Sequence, residues 1–328
     1  MNPWRFLGEI LDRILSGGEL QAEEAEIIFS LPEEYTPLIL ASAHLVKYRF
    51  RGEGVGLCSI VNARAGRCPE DCHFCAQSLH YQTPSPSYPL LSKEKILEKA
   101  GFAYEKGIRR FSLVTSGPRP GEDLLQICRI IELLKEKLPG LKVCASLGRL
   151  DKKEAQALKE AGLDRYHHNL ESSPSFFPCI CSTHTFEERW ATCCTALEAG
   201  LELCSGGIIG MGESPAQRWE LALKLRELPL ASVPVNILHP IPGTPLAQQP
   251  PLPPGEILRT LAIFRLLLPR PALLYAGGRE LNLRDTQALG LWGGVDGMIT
   301  GDYLTTSGQA IEKDLRIIQD MGLQFSPV

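Results

Sequence analysis

The chain has 328 residues and 44% hydrophobic content, enough to bury one large core, and an α/β barrel of this length is commonly a single domain. Its 34 basic and 38 acidic residues leave a net charge of -4, which argues against a large basic surface for nucleic acid. Apolar runs such as 261–268 are short and carry a charge, here Arg265, and residues 1–13 hold Glu9 and Asp12 without a basic start and a long apolar stretch, so no membrane association and a cytoplasmic location are expected.

Residues 1–50 read as a helical extension: 19–29 is amphipathic, and Thr36-Pro37 opens a further helix with a cap and a first-turn proline. From 51 to 328 strand and helix patterns alternate in what is expected to be one barrel domain. Strands are predicted at 57–61, 111–114, 142–146, 164–169, 202–205, 233–236, 272–275 and 297–300. Helices follow at 92–104 (capped by Ser92), 122–137, 152–161, 185–199, 215–228, 254–268, 283–291 and 309–321. Eight strand-helix pairs predict a (β/α)8 TIM barrel, whose active site lies at the C-terminal ends of the strands. Ser112, Cys144, Asn169, Cys204 and Asn236 are expected at those ends.

Eleven cysteines lie at 58, 68, 72, 75, 128, 144, 179, 181, 193, 194 and 204, with none beyond. In a chain without a secretion signal they argue against disulfides and for metal in the first two thirds. Cys68, Cys72 and Cys75 form C-x3-C-x2-C, with Phe74 before the last thiol. Thiolates favour iron-sulfur centres or zinc. A zinc site needs a fourth ligand, and the nearest, Cys58, lies inside the first strand, poorly placed to reach the loop. Three thiols suit a four-iron cubane with one open iron. This spacing resembles that of the radical S-adenosylmethionine enzymes, in which the open iron chelates the cofactor and one electron releases a 5′-deoxyadenosyl radical; Phe74 would shield the cluster and pack against adenine.

Longer blocks narrow the resemblance. The tract from Cys58 through Asn62, the three cysteines, Gln77 and Ser78 is similar to the biotin synthase family, as are His168-Asn169-Leu170-Glu171, the run from Cys204 to Glu213, Asn236 with Gly243-Thr244-Pro245-Leu246, Gly278-Arg279-Glu280, and Leu304-Thr305-Thr306. The resemblance covers roughly 35–325. It implies a homodimeric barrel that inserts sulfur between two saturated carbons of dethiobiotin, with a [4Fe-4S] cluster, S-adenosylmethionine, an auxiliary iron-sulfur cluster as sulfur donor, and a low-potential ferredoxin or flavodoxin as electron donor. Low oxygen suits exposed clusters. By motif match Asn169, Glu171 and Arg189 contact S-adenosylmethionine; Asn169 and Asn236 orient the ureido ring; Thr305 and Thr306 lie near the substrate's carboxylate tail; and His167, standing where many members have asparagine, adjoins the substrate. Asn offers a donor and an acceptor, and Arg a charged fork. Bland roles compete: Arg189 pairing within its acidic turn, Asn236 as an ordinary strand end, Thr305 and Thr306 as a helix cap.

The auxiliary site departs from the family. Cys144 and Cys204 match two of its cysteines, but Ser112 stands for the third and Leu274 for a ligand arginine. Cys179 and Cys181, on the loop after strand four, are expected to join Cys144 and Cys204 in a relocated four-iron cluster of four cysteines. The chain thereby resembles a variant class of biotin synthases from obligate anaerobes. If the sulfur donor were lost, the chemistry would instead be that of a hydrogenase-cofactor maturase or a carbon-skeleton rearrangement enzyme. Cys193, Cys194 and Cys128 read as helix packing.

Overall fold

A computed structural model describes residues 2–326. Three helices precede the first strand: α1 (Pro3–Leu15), α2 (Ala22–Phe29) and α3 (Thr36–Arg51). Pro37 sits in the first turn of α3, but Thr36 makes no cap bond; its hydroxyl instead accepts from Arg259 at 3.5 Å.

The strands are β1 (Gly54–Arg64), β2 (Arg110–Thr115), β3 (Lys142–Ser146), β4 (Arg165–His167), β5 (Glu202–Cys204), β6 (Gly207–Ile209), β7 (Leu230–Ile237), β8 (Ala272–Tyr275), β9 (Gly297–Thr300) and β10 (Gln324–Phe325). All pairings between them are parallel, and β9 pairs with β1 through Gly56 and Gly297, which closes the barrel. β5 and β6 both lean on β7 and form one interrupted stave, while β10 adds to the foot of β1, so the ten strands make the eight predicted staves.

Helices α4 (Lys93–Glu105), α5 (Leu124–Lys137), α6 (Lys152–Glu160), α7 (Phe186–Glu198), α8 (Pro215–Arg226), α9 (Pro254–Leu267) and α12 (Ile311–Asp320) cover the outside. Ser92 caps α4 as predicted, accepting from Lys95 N at 3.4 Å. The helix predicted at 283–291 is split into α10 (Arg279–Leu283) and α11 (Gln287–Trp292), because Arg284 takes a left-handed φ of 51° between them.

The charge inside the apolar run of α9 has a structural use. Arg265 is fully buried, pairs with Asp296 before β9, and donates to the carbonyls of Gly294, Leu268, Pro269 and Pro271 at 2.9–3.2 Å. One guanidinium thereby satisfies loop carbonyls that burial would otherwise leave unpaired. No helix among the described residues is long and apolar enough to cross a membrane.

Candidate active site

The period of two along parallel strands sends alternate residues into the barrel. Cys58 and Ile60 of β1, Arg110, Ser112 and Val114 of β2, and Cys144 and Ser146 of β3 line an interior cavity of about 310 Å³ with residues of the other staves. Ser112 and Cys144 lie inside their strands, not at the ends. They sit a layer below the rim expected for them.

Three thiols meet in this cavity: Cys58, Cys144 and Cys204, all buried. Burial pushes the Cys58 thiol up to about 12, with Cys144 and Cys204 adding to the rise and Arg110 and Arg165 opposing it. Burial raises Cys144 and Cys204 in the same way, against the same two guanidiniums. Arg110 Nη1 donates to Cys144 Sγ at 3.4 Å, and His167 Nδ1 lies 3.2 Å from Cys204 Sγ. Burial holds the His167 imidazole neutral, down to about 4. Arg165 donates to Glu202 at 2.9 Å and to Ser232 Oγ at 3.0 Å, and Arg110 also approaches Glu202, which closes the floor of the cavity.

Cys58 was not expected here. It packs against Ala272, Leu274 and Ile299, so a thiol adjoins the leucine expected to stand at the position of the family's ligand arginine. The signal was available in the alternation of β1, where Cys58 has the same inward parity as Ile60. The expected partners of Cys144 and Cys204 are elsewhere. Cys179 is exposed in a short 3-10 turn. Cys181 is buried, but its sulfur lies 3.9 Å from Cys72 Sγ, at the cysteine loop. The four-cysteine set of Cys144, Cys179, Cys181 and Cys204 is therefore not assembled: the 3-10 turn and the bonds of Asp71 draw residues 179–184 onto the cysteine loop.

That loop carries the second feature. Cys68, Cys72, Cys75, Phe74, Glu171, His168, His184 and Arg189 line a cavity of about 200 Å³ built from segments that follow β1 to β4. Asp71 fastens the loop, accepting from Ser182 N at 2.9 Å, Ser182 Oγ at 2.5 Å, Thr183 N at 3.2 Å and Thr183 Oγ1 at 3.1 Å. Those bonds hold its carboxyl well below the usual range against the opposing effect of burial. Glu70 binds His184 at 2.9 Å and Arg149 at 3.1 Å. Burial raises the Cys68 thiol and pushes that of Cys75 up to about 11. Neutral thiols release protons when soft metal takes them.

Glu171 is set by its backbone. It adopts a φ of 68°, rare for a residue with a side chain, and its carbonyl accepts from Ile208 N at 2.8 Å. A Cβ at Gly207 would stand 2.5 Å from that carbonyl, which explains the glycine after Ser205 and Gly206. Asn169 Nδ2 donates to Glu171 at 3.2 Å, and its Oδ1 accepts from Gly206 N at 3.1 Å. Arg189 reaches from the first turn of α7 to Asn169 O at 2.5 Å and Glu171 at 3.1 Å; of the two acidic residues of that turn, Glu187 and Glu188, the latter pairs with Arg149 instead. Asn169, Glu171 and Arg189 therefore converge, as expected.

The two cavities share Val114, Ser146, Glu171 and Leu304 as walls. Asn236 lines the barrel cavity, its Oδ1 accepting from Gly277 N at 2.9 Å and its Nδ2 donating to Gly207 O at 3.4 Å. Thr305 also lines it, on a loop held by the donation of Asn62 to Leu304 O at 2.8 Å. Thr306 does not line it; its carbonyl accepts from Tyr303 N at 3.0 Å, and neither threonine caps a helix. Cys193 Sγ packs 3.4 Å from His168 O, and Cys128 Sγ 3.7 Å from Ala157 O, as helix packing predicts.

The donor sets fit iron-sulfur groups: two sets of three thiols, one beside a cavity lined by Glu171 and Arg189, the other buried with two guanidiniums in the cavity that Asn169 lines. In the cavity beside the cysteine loop the buried His168 Nε2 and Thr115 Oγ1 have no hydrogen-bond partner in the protein.

Comparison with known proteins agrees with this layout. Residues 64–225 match the Radical SAM superfamily, and residues 234–324 the Biotin and Thiamin Synthesis associated domain. Biotin synthase of Desulforudis audaxviator is 58% identical over 97% of both chains. Biotin synthase of Pelotomaculum thermopropionicum is 52% identical over 97% of this chain and 99% of its own. Among solved structures, methylornithine synthase (PylB) superposes with a TM-score of 0.85 at 19% identity, covering 97% of each chain, and the FeFe-hydrogenase maturase HydG from Carboxydothermus hydrogenoformans with 0.83 at 19%, over 99% of this chain and 80% of its own. At that identity these two speak for the fold alone.

Proposed function

The chain belongs to the biotin synthase family, and from that premise we propose that its two thiol triads divide the conversion of dethiobiotin to biotin between them. Membership brings a [4Fe-4S] cluster, S-adenosylmethionine and an auxiliary iron-sulfur cluster. When bound, these supply a 5′-deoxyadenosyl radical that takes hydrogen from saturated carbon, and the sulfur that fills the vacated position.

The loop triad, Cys68, Cys72 and Cys75, holds the first cluster. Arg189 and Glu171 receive the charged carboxylate and amino groups of S-adenosylmethionine, Asn169 its ribose, and Phe74 its adenine. The paired Arg189 and Glu171 present opposite charges side by side, 3.1 Å apart, which suits an amino acid head group. Asn169 and Asn236 orient the ureido ring, and the neutral His167 adjoins the substrate beside Cys204. Thr305 meets the carboxylate tail, with Thr306 holding the loop. The walls shared by the two cavities keep the cofactor next to the substrate and exclude water between them.

Cys58, Cys144 and Cys204 hold the auxiliary cluster. The single observation that carries this reading is that Cys58 stands beside Leu274, so one ligand is gained where another is lost. Were a four-iron cluster bound there, Cys58, Cys144 and Cys204 would hold it, and it would supply the sulfur for insertion. Arg110 and Arg165 offset the thiolate charge. A maturase or rearrangement activity is not favoured: the maturase HydG resembles the chain only in fold, at 19% identity, whereas biotin synthases match it along nearly its whole length. A low-potential ferredoxin or flavodoxin delivers the electron, and the working unit is a homodimer at low oxygen.

The test is anaerobic incubation of the reduced, iron-loaded chain with dethiobiotin and S-adenosylmethionine. Biotin and a thiolated intermediate are expected. Release of 5′-deoxyadenosine with neither product, both clusters being intact, contradicts the reading.

A further inference from the structure

Cys181 and His184 are absorbed by neither triad. Their ligand atoms and Cys72 Sγ all lie within 4.8 Å of one another. Cys72 Sγ and Cys181 Sγ are 3.9 Å apart, and Cys181 Sγ is 3.2 Å from His184 Nδ1, the nitrogen that also meets Glu70, and 3.9 Å from His184 Nε2. Around a tetrahedral ion with metal-sulfur bonds of about 2.3 Å and metal-nitrogen bonds of about 2.0–2.1 Å, such edges run to roughly 3.8 and 3.6 Å. The Cys72–Cys181 edge and the edge from Cys181 to His184 Nε2 match ligands around a common centre, and the third, from Cys72 to His184, is under 4.8 Å.

The surroundings also suit a metal. His184 Nδ1 lies 2.9 Å from Glu70 Oε2, the carboxylate-histidine arrangement that fixes a ring and leaves its other nitrogen for metal. The edge of Phe177 packs on the imidazole, with ring centroids 5.5 Å apart. Asp71 fixes the loop, with Oδ1 3.2 Å from Cys181 Sγ. Arg189 Nη1 lies 3.1 Å from His184 Nε2, and an ion displaces this contact while Arg189 keeps its bonds to Asn169 and Glu171.

We infer that the cluster-free chain binds one divalent transition-metal ion through Cys72 Sγ, Cys181 Sγ and His184 Nε2, and that this ion and the loop cluster exclude each other because they share Cys72. The donor set, two soft thiolates and one imidazole, selects zinc- or iron-like ions over magnesium or calcium. Exclusion rests on the reading of Cys72 as a cluster ligand; ion binding does not. Zinc at this site therefore blocks the loop cluster.

The test titrates the full, reduced, cluster-free chain with Co²⁺ alone under anaerobic conditions. A tetrahedral thiolate-cobalt spectrum is expected at one equivalent, lost in Cys181→Ser and in His184→Ala and kept in Cys68→Ser, Cys75→Ser and Cys58→Ser. Loss in the Cys68 and Cys75 variants with retention in the Cys181 and His184 variants places the ion on the loop triad and overturns the inference. In the second arm, Zn²⁺ is added before iron and sulfide. Cluster formation should slow at least about tenfold in the parent and stay unaffected in Cys181→Ser, whose loading of the loop cluster also shows that this variant is folded. Equal slowing in both overturns the exclusion. Biotin formation by the loaded Cys181→Ser chain separately reports the reading of the two triads.

Discussion

The two thiol triads are built in opposite ways. Cys68, Cys72 and Cys75 occupy one loop, and their approach is a local property of that loop, fastened by Asp71 to residues 182 and 183. Cys58, Cys144 and Cys204 come from β1, β3 and β5 and meet only because the barrel closes. A contiguous site carries its geometry in its spacing; a dispersed one borrows it from the fold. The loop triad adjoins a cavity lined by Phe74, Glu171 and Arg189, the proposed cofactor site, while the barrel triad, the proposed sulfur site, is buried with Arg110 and Arg165.

The largest effect should come from separating the triads by function. Cys58→Ala is expected to lose sulfur insertion by more than the roughly 10–100-fold typical of a mere supporting residue, while 5′-deoxyadenosine release persists. Cys72→Ala should abolish both products. Mass spectrometry of biotin and 5′-deoxyadenosine in the same reaction reads both outcomes, and parallel loss in Cys58→Ala would erase the distinction.

Next comes Arg189→Leu. A hydrogen bond to a charged group contributes about 1.5–3 kcal/mol, so the KM for S-adenosylmethionine should rise about 10–100-fold with auxiliary iron unchanged. Steady-state kinetics with iron counts on the same preparation check it.

A smaller effect should follow from Asp71→Asn, which weakens the fastening of the loop and leaves the barrel triad alone. Iron release to a chelator should quicken about two- to tenfold for the loop cluster only, given the typical strength of such hydrogen bonds. The Asp71 carboxyl is held well below its ordinary range, so its contribution is full above the unfolded value of about 3.9 and is lost only as pH falls from there through the much lower folded value. From about pH 6 to 4 the ratio of release rates between Asp71→Asn and the parent should therefore stay constant.

The smallest effect belongs to Cys179→Ser. This residue is exposed, and stability, iron content and activity should stay within about 0.5 kcal/mol of the parent. A clear loss of iron there would revive the loop residues as auxiliary ligands.

The contrast between the triads also explains what could be read in the sequence. All eight staves were legible, because apolar periodicity and glycine-rich loops mark strands and helices locally. So were the loop triad and the convergence of Asn169, Glu171 and Arg189, since each rests on a short contiguous motif. The barrel triad was half legible: Cys144 and Cys204 stood out, but Cys58 looked like a strand residue because its neighbours in space, Leu274 and Ile299, are distant in sequence. Cys179 and Cys181 looked suitable because they follow strand four, yet only the structure shows Asp71 and the 3-10 turn pulling this loop toward Cys72. Arg110 and Arg165 at the strand starts and the shared walls at Glu171 and Leu304 depend on barrel register, which no local pattern specifies.

Anaerobic iron and sulfide counting on the reconstituted parent, Cys58→Ala, Cys144→Ala, Cys179→Ala and Cys181→Ala chains tests the barrel triad most directly. About eight irons are expected in the parent, as in two four-iron clusters, about four in the Cys58 and Cys144 variants, and about eight in the Cys179 and Cys181 variants. Eight irons in Cys58→Ala together with four in Cys179→Ala or Cys181→Ala would contradict the account.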